Sequence, residues 1–295
     1  MNDPRPPSER LPQSSGPADA SNPPVTVVTV TRNARPALEG TIASVLAQTY
    51  RPLDYLVVDG ASTDGTLDLL SRFGPPLRWI SERDAGIYDA MNRALALIDG
   101  ADAYVFFLNA DDRFVSPDAI ARVMAAADGA DFVHCRLELR DDELGDRDVV
   151  GGALALRDLR LQNRCGHQMI FCRRRVFDLV GAFDLAYPIA ADYDWVIRVF
   201  QDDRIAIRFV PVVAASMAAG GVSQRSYAAL LGERQRIVRA RFGPAASARF
   251  AAYRAVVEVP RLGARRLLRA FGLLRASRAV QRALRASAAR PTPRP

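Results

Sequence analysis

Apolar positions along the first half of the chain follow two rhythms. Val25–Thr31 (VTVVTVT), Leu53–Val58 and Leu77–Ile80 are compact β-branched or apolar runs, which predict strands. Ala37–Gln48, Gly65–Arg72 and Tyr88–Ile98 carry their apolar residues at helical spacing instead. Tyr104–Leu108 (YVFFL) is apolar throughout, as a central strand covered on both faces requires. Asn33 and Pro36 end the first strand. Thr63 is placed to cap the second helix, and Ser116-Pro117-Asp118 opens another, with Ser as cap and Pro at the first helical position. Strand and helix alternate through short connections over residues 25–130, which predicts a doubly wound α/β half with a mostly parallel sheet.

The second half is less regular. Strands are expected at Asp131–Leu139, Met169–Cys172 and Ile205–Val210, with an acidic loop at Asp141–Asp148. Helices are expected around Arg175–Leu179, Tyr193–Phe200 and Tyr227–Phe242. This half should complete the sheet with an antiparallel element. The first 24 residues, rich in Pro, Ser and Asn, and the last five read as disordered arms.

Composition narrows the class. At 295 residues and 49% hydrophobic, the chain supports one large α/β core and a small extension. No apolar run approaches the roughly 18–20 residues that span a bilayer, and no signal-peptide pattern opens the chain. Three cysteines (Cys135, Cys165, Cys172) and two histidines leave neither a disulfide framework nor a zinc ligand set. The net charge of +7 divides unevenly: residues 261–295 hold ten arginines and no acid, so the first 260 carry 30 basic against 33 acidic groups. All 40 basic residues are arginine. A nucleic-acid binder would spread its basic residues over the working surface. The pattern here is a slightly acidic catalytic body with a basic anchor.

Candidate chemistry collects where strands end, the edge at which open α/β sheets bind ligands. Asn109-Ala110-Asp111-Asp112 follows the most apolar strand and offers hard oxygen ligands for Mg²⁺ or Mn²⁺; the plain alternative is a solvated turn. Asp59, at the end of the second strand, is placed to accept hydrogen bonds from the N–H edge of a base, or simply to make an Asp-Gly turn. Asp84 and Gly86 follow the third strand, with Asn92 on the helix beyond. Asp192 opens a downstream helix, either as a cap or as a general base for an acceptor hydroxyl. Asp194, two residues on, points elsewhere and is the poorer candidate. His167 and Gln168 precede an apolar strand, where an internally bonded His is as good a reading as a ligand contact. His134 and the cysteines read as packed core. Arg173-Arg174-Arg175 and Gly220-Gly221-Val222-Ser223 either border the cleft or form a surface cluster and a turn. No Gly-x-Gly-x-x-Gly fingerprint is present, which counts against nicotinamide or flavin chemistry.

Taken in order, VTVVTVTRN (25–33), YLVVDGASTDGT (55–66), ISERDAGIYDAMNRAL (80–95), FFLNADD (106–112), GHQMIFCRR (166–174), ADYDW (191–195) and GGVS (220–223) resemble a family 2 glycosyltransferase with the GT-A fold, of the bacterial polysaccharide and glycolipid type. The resemblance implies a nucleotide-sugar-binding half at 25–130 and an acceptor-binding half at 131–225, followed by a helical segment at 226–260. It implies a donor site on Thr31, Asn33, Asp59, Asp84, Gly86, Asn92, Asn109, Ala110 and Asp111, with a divalent cation at Asp111 and its neighbour Asp112. It makes Asp192 the base of an inverting transfer and puts His167, Gln168, Arg173, Asp194 and Trp195 near the acceptor or phosphates. Two departures stand out: Asn109 replaces the first acid of the Asp-x-Asp motif, and Ala191 replaces the Glu of the usual Glu-Asp base pair. The family's processive members carry a Gln-x-x-Arg-Trp motif and transmembrane helices. Neither is seen here, which points to transfer of a single sugar.

Arg265–Arg290 reads as a basic amphipathic helix with Leu267, Phe271 and Leu274 on one stripe. It would lie on an anionic membrane, or else dock on the body or on a second copy in a homo-oligomer. A lipid-linked or saccharide acceptor at the inner face of a bacterial membrane follows from the first option. The alternatives weighed are a catalytically weak GT-A scaffold at the membrane and a nucleotidyltransferase.

Overall fold

The computed structural model describes residues 22–141, 145–161, 165–218 and 226–258. Among the described residues nine strands form one sheet: β1 Val25–Thr31, β2 Leu53–Asp59, β3 Leu77–Ser81, β4 Tyr104–Phe107, β5 Arg113–Phe114, β6 Phe132–Asp141, β7 Asp146–Val150, β8 Ile170–Arg173 and β9 Ile207–Ala218. They run in the order β3-β2-β1-β4-β8-β6-β9-β5, with β7 paired to β6. The helices are α1 Arg35–Leu46, α2 Thr66–Leu70, α3 Ile87–Leu95, α4 Ala119–Ala125, α5 Arg174–Val180, α6 Ala191–Phe200 and α7 Tyr227–Tyr253. Val25–Thr31 is buried along its whole length because it lies between β2 and β4, and α3, whose buried residues include Met91 and Ala94, packs against it. Its β-branched side chains suit that two-sided burial.

Strands β1, β2, β3 and β4 are mutually parallel. From β1 the chain winds outward to β2 and β3, then returns to place β4 on the other side of β1. The order therefore reverses between β1 and β4, and a crevice opens at their carboxyl ends. Strand β8 then pairs antiparallel with β4, setting Phe106 opposite Phe171 and Tyr104 opposite Arg173. The Phe106 and Phe171 rings stack at 4.2 Å.

Several local expectations are corrected. The acidic stretch 141–148 is partly strand, since β6 and β7 pair from Leu137–Val150 to Asp141–Asp146. Alternate residues of such a hairpin stay in water, so an acidic sequence is compatible with pairing. Asp64, not Thr63, serves the start of α2, accepting the Thr66 N–H at 3.1 Å and its hydroxyl at 2.6 Å. Helix α4 begins at Ala119, past Ser116 and Pro117, whose segment instead makes a turn. Helix α7 continues beyond Phe242 through a break at Gly243 (φ 85°), where Pro244 removes a backbone donor. Among the described residues no helix is long and apolar enough to cross a membrane. Residues 1–21 of the N-terminal arm, the basic C-terminal segment, the C-terminal arm and Gly220–Ser223 lie outside the described residues, whereas the end of the first arm is held, the Pro23 and Pro24 carbonyls accepting the Tyr50 hydroxyl at 2.7 Å and the Tyr104 N–H at 2.8 Å.

The cysteines and His134 are core, as expected. All three thiols are free and buried; burial pushes that of Cys135 up to about 12, which leaves little thiolate for chemistry. His134 sits 5.1 Å from the Phe209 ring, and burial lowers it to about 4, so it stays neutral.

Candidate active site

The crevice is built from four strand exits. After β4 the chain turns so sharply that Asp111 takes φ 83°, in the left-handed region. A non-glycine residue pays about 1 kcal/mol or more for that conformation, so other contacts must impose it. Thr41 on α1 does so from both sides, its hydroxyl accepting the Asp111 N–H at 3.0 Å and donating to the Asp112 carbonyl at 2.8 Å. The turn sends the two adjacent carboxylates to opposite fates. Asp111 is half exposed, with Arg140 at 3.5 Å. Asp112 is buried and accepts a bond from Gln168 Nε2 at 3.2 Å.

That difference corrects the expected metal pair: Asp111 is open to a cation and Asp112 is not. Burial, the largest cause, pushes the Asp112 carboxyl up to about 6 despite the Gln168 bond. Its folded value lies above its unfolded one, so its stabilising contribution is complete below about pH 4 and is lost as pH rises through about 6. Urea unfolding in EDTA at pH 4.5 and pH 7.5 should show this contribution, on the order of 2–3 kcal/mol across the full window, in the wild type. Asp112→Asn should flatten the difference by that amount.

On the other side of the crevice, Asp59 is fully buried. Its carboxylate accepts the Ser62 N–H at 2.9 Å, the Ser62 hydroxyl at 2.5 Å and the Ser81 hydroxyl at 2.7 Å. It holds the turns after β2 and β3 and, so committed, is not open to the expected direct contact with a base edge. Asn33 stitches the loops after β1 and β2: its N–H donates to Ser62 Oγ at 2.7 Å and its Oδ1 accepts the Thr63 N–H at 2.8 Å. Asp84 accepts the Gly86 N–H at 2.9 Å. Its other oxygen lies where a Cβ on Gly60 would sit, so only glycine allows this approach. Gly86, at φ 129°, opens α3 with free space over it. The Thr31 hydroxyl is buried and has no hydrogen-bond partner among the described residues. An unpaired buried hydroxyl at a switch point is what a ligand would satisfy.

The antiparallel β4–β8 pair decides what else reaches this edge. Residues before β8 come to the exit of β4, and residues after it are carried to the opposite end. His167 and Gln168, in a short 3₁₀ turn ahead of β8, therefore arrive at the crevice, where Asn109 Nδ2 lies 2.8 Å from His167 Nε2. The other ring nitrogen, Nδ1, lies 3.3 Å from Asp192 Oδ2. Arg173 is delivered to the far end, where it pairs with Asp102 at 3.2 Å and stacks over Tyr104. Arg175 joins it there through Asp131 at 2.5 Å. Their expected phosphate role is thus overturned by strand direction.

Helix α6 separates its acids in the same way. Asp192 faces His167, with its second oxygen accepting the Tyr193 N–H at 2.8 Å. Asp194 is wholly buried between Arg198 at 3.0 Å and Arg241 at 2.7 Å. Trp195 stacks on Phe177 at 4.4 Å and donates to the Gly181 carbonyl. Both are packing residues, not acceptor contacts. Asn92 is also corrected, because both ends of its amide are spent on the Phe183 backbone, at 2.9 and 3.0 Å. Ala110 packs against the core.

Three participants carry no local signature in the sequence. Tyr88 is buried beside this group and donates to the Ile189 carbonyl at 3.1 Å; burial first and then the Asp192 charge push its phenol well above its ordinary value. Arg140 comes from β6 to meet Asp111. Glu233, on α7, accepts the Ile189 and Ala190 N–H groups at 2.9 and 2.8 Å. A carboxylate thus stands at the entrance of α6 although position 191 is alanine, an arrangement the helix dipole favours.

An open sheet with carboxylates at its switch point, completed by a half of mixed strand direction that delivers one further acid, is the GT-A glycosyltransferase architecture. The chain belongs to glycosyl transferase family 2, whose model matches residues 26–186. It is 36% identical over 197 residues to the PGL/p-HBAD biosynthesis glycosyltransferase of Mycobacterium bovis (strain BCG / Pasteur 1173P2), covering 64% of this chain and 75% of that protein. Among solved structures it resembles S. aureus TarS 1-349 in complex with UDP-GlcNAc (TM-score 0.58, 15% identity, 79% of this chain and 73% of that one). It also resembles the mannosyltransferase PcManGT from Pyrobaculum calidifontis in complex with GDP-Man and Mn2+ (TM-score 0.54, 22% identity, 96% and 80%). These two likenesses establish the fold.

Proposed function

We propose that this glycosyltransferase is inverting and metal-dependent, and moves one sugar from a nucleoside-diphosphate donor to a hydroxyl of a lipid-linked saccharide or glycolipid in cell-surface glycan assembly. The observation that carries the reading is the bonded path Asn109–His167–Asp192, which puts a carboxylate from the acceptor half two hydrogen bonds from the Asp-x-Asp-like loop of the donor half. In the transfer, the acceptor oxygen attacks the anomeric carbon from the face opposite the diphosphate. Asp192 takes the hydroxyl proton, and the anomeric C–O bond breaks with its electrons on the departing nucleoside diphosphate. Thr31, Asn33, Asp84 and Gly86 border the donor, and Asn109 Oδ1, which has no partner among the described residues, is free for a donor hydroxyl.

The residues fit a divalent cation in one way. Among the described residues no group of three acidic, His or Cys side chains could cage a metal. A single half-exposed carboxylate, Asp111, is however what Mg²⁺ or Mn²⁺ uses when substrate phosphates complete its shell. Bound there, the cation would neutralise charge developing on the leaving diphosphate. Arg140 would hold Asp111 in place.

Support for the glycoconjugate setting comes from the mycobacterial relative named for PGL/p-HBAD biosynthesis, and support for a membrane-held acceptor from the arginine-rich segment 261–295. That segment suits attachment to the anionic inner face of a bacterial cell membrane. Calorimetric titration against UDP-, GDP- and dTDP-sugars, with and without Mn²⁺, tests the reading. One donor should bind in a metal-dependent way, and Asp111→Ala should reduce that affinity by at least about tenfold, the scale of one lost charge-assisted contact of 1.5–3 kcal/mol. Absence of binding to any nucleotide sugar at millimolar concentration would overturn it.

A further inference from the structure

The position at which this chain departs from the Asp-x-Asp pattern is the one that meets His167. We propose that Asn109 and His167 form a positioning pair for the Asp192 carboxylate, in which the amide fixes the imidazole as its neutral Nδ1–H tautomer and Nδ1–H orients the base. The proposal rests on the reading of Asp192 as the base.

Asn109 Nδ2 carries only protons to give, so at 2.8 Å the facing His167 Nε2 must accept and hence be bare. A neutral imidazole then carries its proton on Nδ1, which faces Asp192 Oδ2 at 3.3 Å as a donor. The Tyr193 N–H holds Asp192 Oδ1. The carboxylate is thereby fixed at both oxygens, with remaining lone pairs for an incoming hydroxyl. His167 and Asp192 side chains are only 10% and 12% exposed, so these protein partners, more than solvent, set the ring's hydrogen bonding.

An aspartate at 109 would behave differently. It would accept from Nε2, Asp192 would still accept from Nδ1, and the ring would be driven to imidazolium. A full positive charge beside Asp192 would weaken it as a base. The neutral amide avoids this, which gives the substitution a physical reason. Rigidity comes from the sheet, because the β4–β8 register brings the exit of one strand and the entry of the next to the same edge.

The 295-residue chain has two histidines, so long-range ¹H–¹⁵N spectra of the ¹⁵N-histidine-labelled chain resolve both rings without any substrate. His167 should show a protonated Nδ1 and a bare Nε2 at neutral pH, and Asn109→Asp should protonate both nitrogens. In donor turnover, His167→Gln keeps a group near Nε2 but loses the bond to Asp192. It should lower kcat about 10- to 100-fold, the range typical of partners that orient a functional ligand, with donor KM little changed. His167→Asn keeps a donor near Nδ1 and should recover most of that loss. An Nε2-protonated His167 in the wild type, or equal kcat in the two variants, would overturn the pair. Wild-type kcat in Asp192→Asn would overturn the base reading beneath it, whatever tautomer the spectra show.

Discussion

Replacing Asp192 with asparagine should lower kcat by about 10²- to 10⁴-fold, the contribution of a positioned general base, while donor affinity stays within about twofold. The substitution keeps the shape of the side chain and its place at the start of α6. In the proposed mechanism it removes the ability to take a proton from the acceptor hydroxyl, an event confined to the transition state, so kcat and kcat/KM should fall together. The residue is mostly covered, at 8% exposed. Behind it lies a cavity of about 10 Å³ lined largely by apolar residues, among them Val105, Ile170 and Trp195. That volume holds at most about one water, so solvent is a poor substitute base. Steady-state kinetics beside circular dichroism would separate a chemical loss from a folding loss.

Asp194→Ala should act on stability instead, at a cost of about 3–5 kcal/mol. The carboxylate is wholly buried and pairs with Arg198 Nε at 3.0 Å and with Arg241 through Nε and Nη2 at 2.7 and 2.9 Å. Removing it strands two guanidinium groups. Arg198 retains the carbonyls of Val180, Gly181 and Ala182, whereas Arg241 loses its ion pair with α6. Arg241→Ala should cost less, because Asp194 keeps Arg198. Urea midpoints for both variants check the order, and equal costs would mean that the α7 link, not the buried charge, dominates.

These two acids, two residues apart on one helix, show what could be read early. Their difference in role was legible, because residues two apart on a helix point to different sides. Which side faces the crevice was not, since that depends on where His167 and Arg241 arrive. The Arg173 cluster illustrates the opposite case. Its composition suits phosphate binding, yet an antiparallel strand of four residues carries it to the far end of the sheet. Asp111 and Asp112 looked equivalent until the backbone between them went left-handed, a conformation set by Thr41 from about 70 positions earlier in the chain.

The alternation of strands and helices over residues 25–130, the acids at strand ends and the helix that carries Asp192 were determined by local pattern. Hydrophobic period and turn chemistry act over a few residues, and the chain displays them directly. Tertiary structure alone decided which acids stay exposed, that Asn109, His167 and Asp192 share hydrogen bonds, and that Glu233 and Arg241 brace α6 from a helix some 40 residues on. Those outcomes depend on strand direction, register and burial, and each joins residues far apart in the chain, where no sequence spacing records the contact.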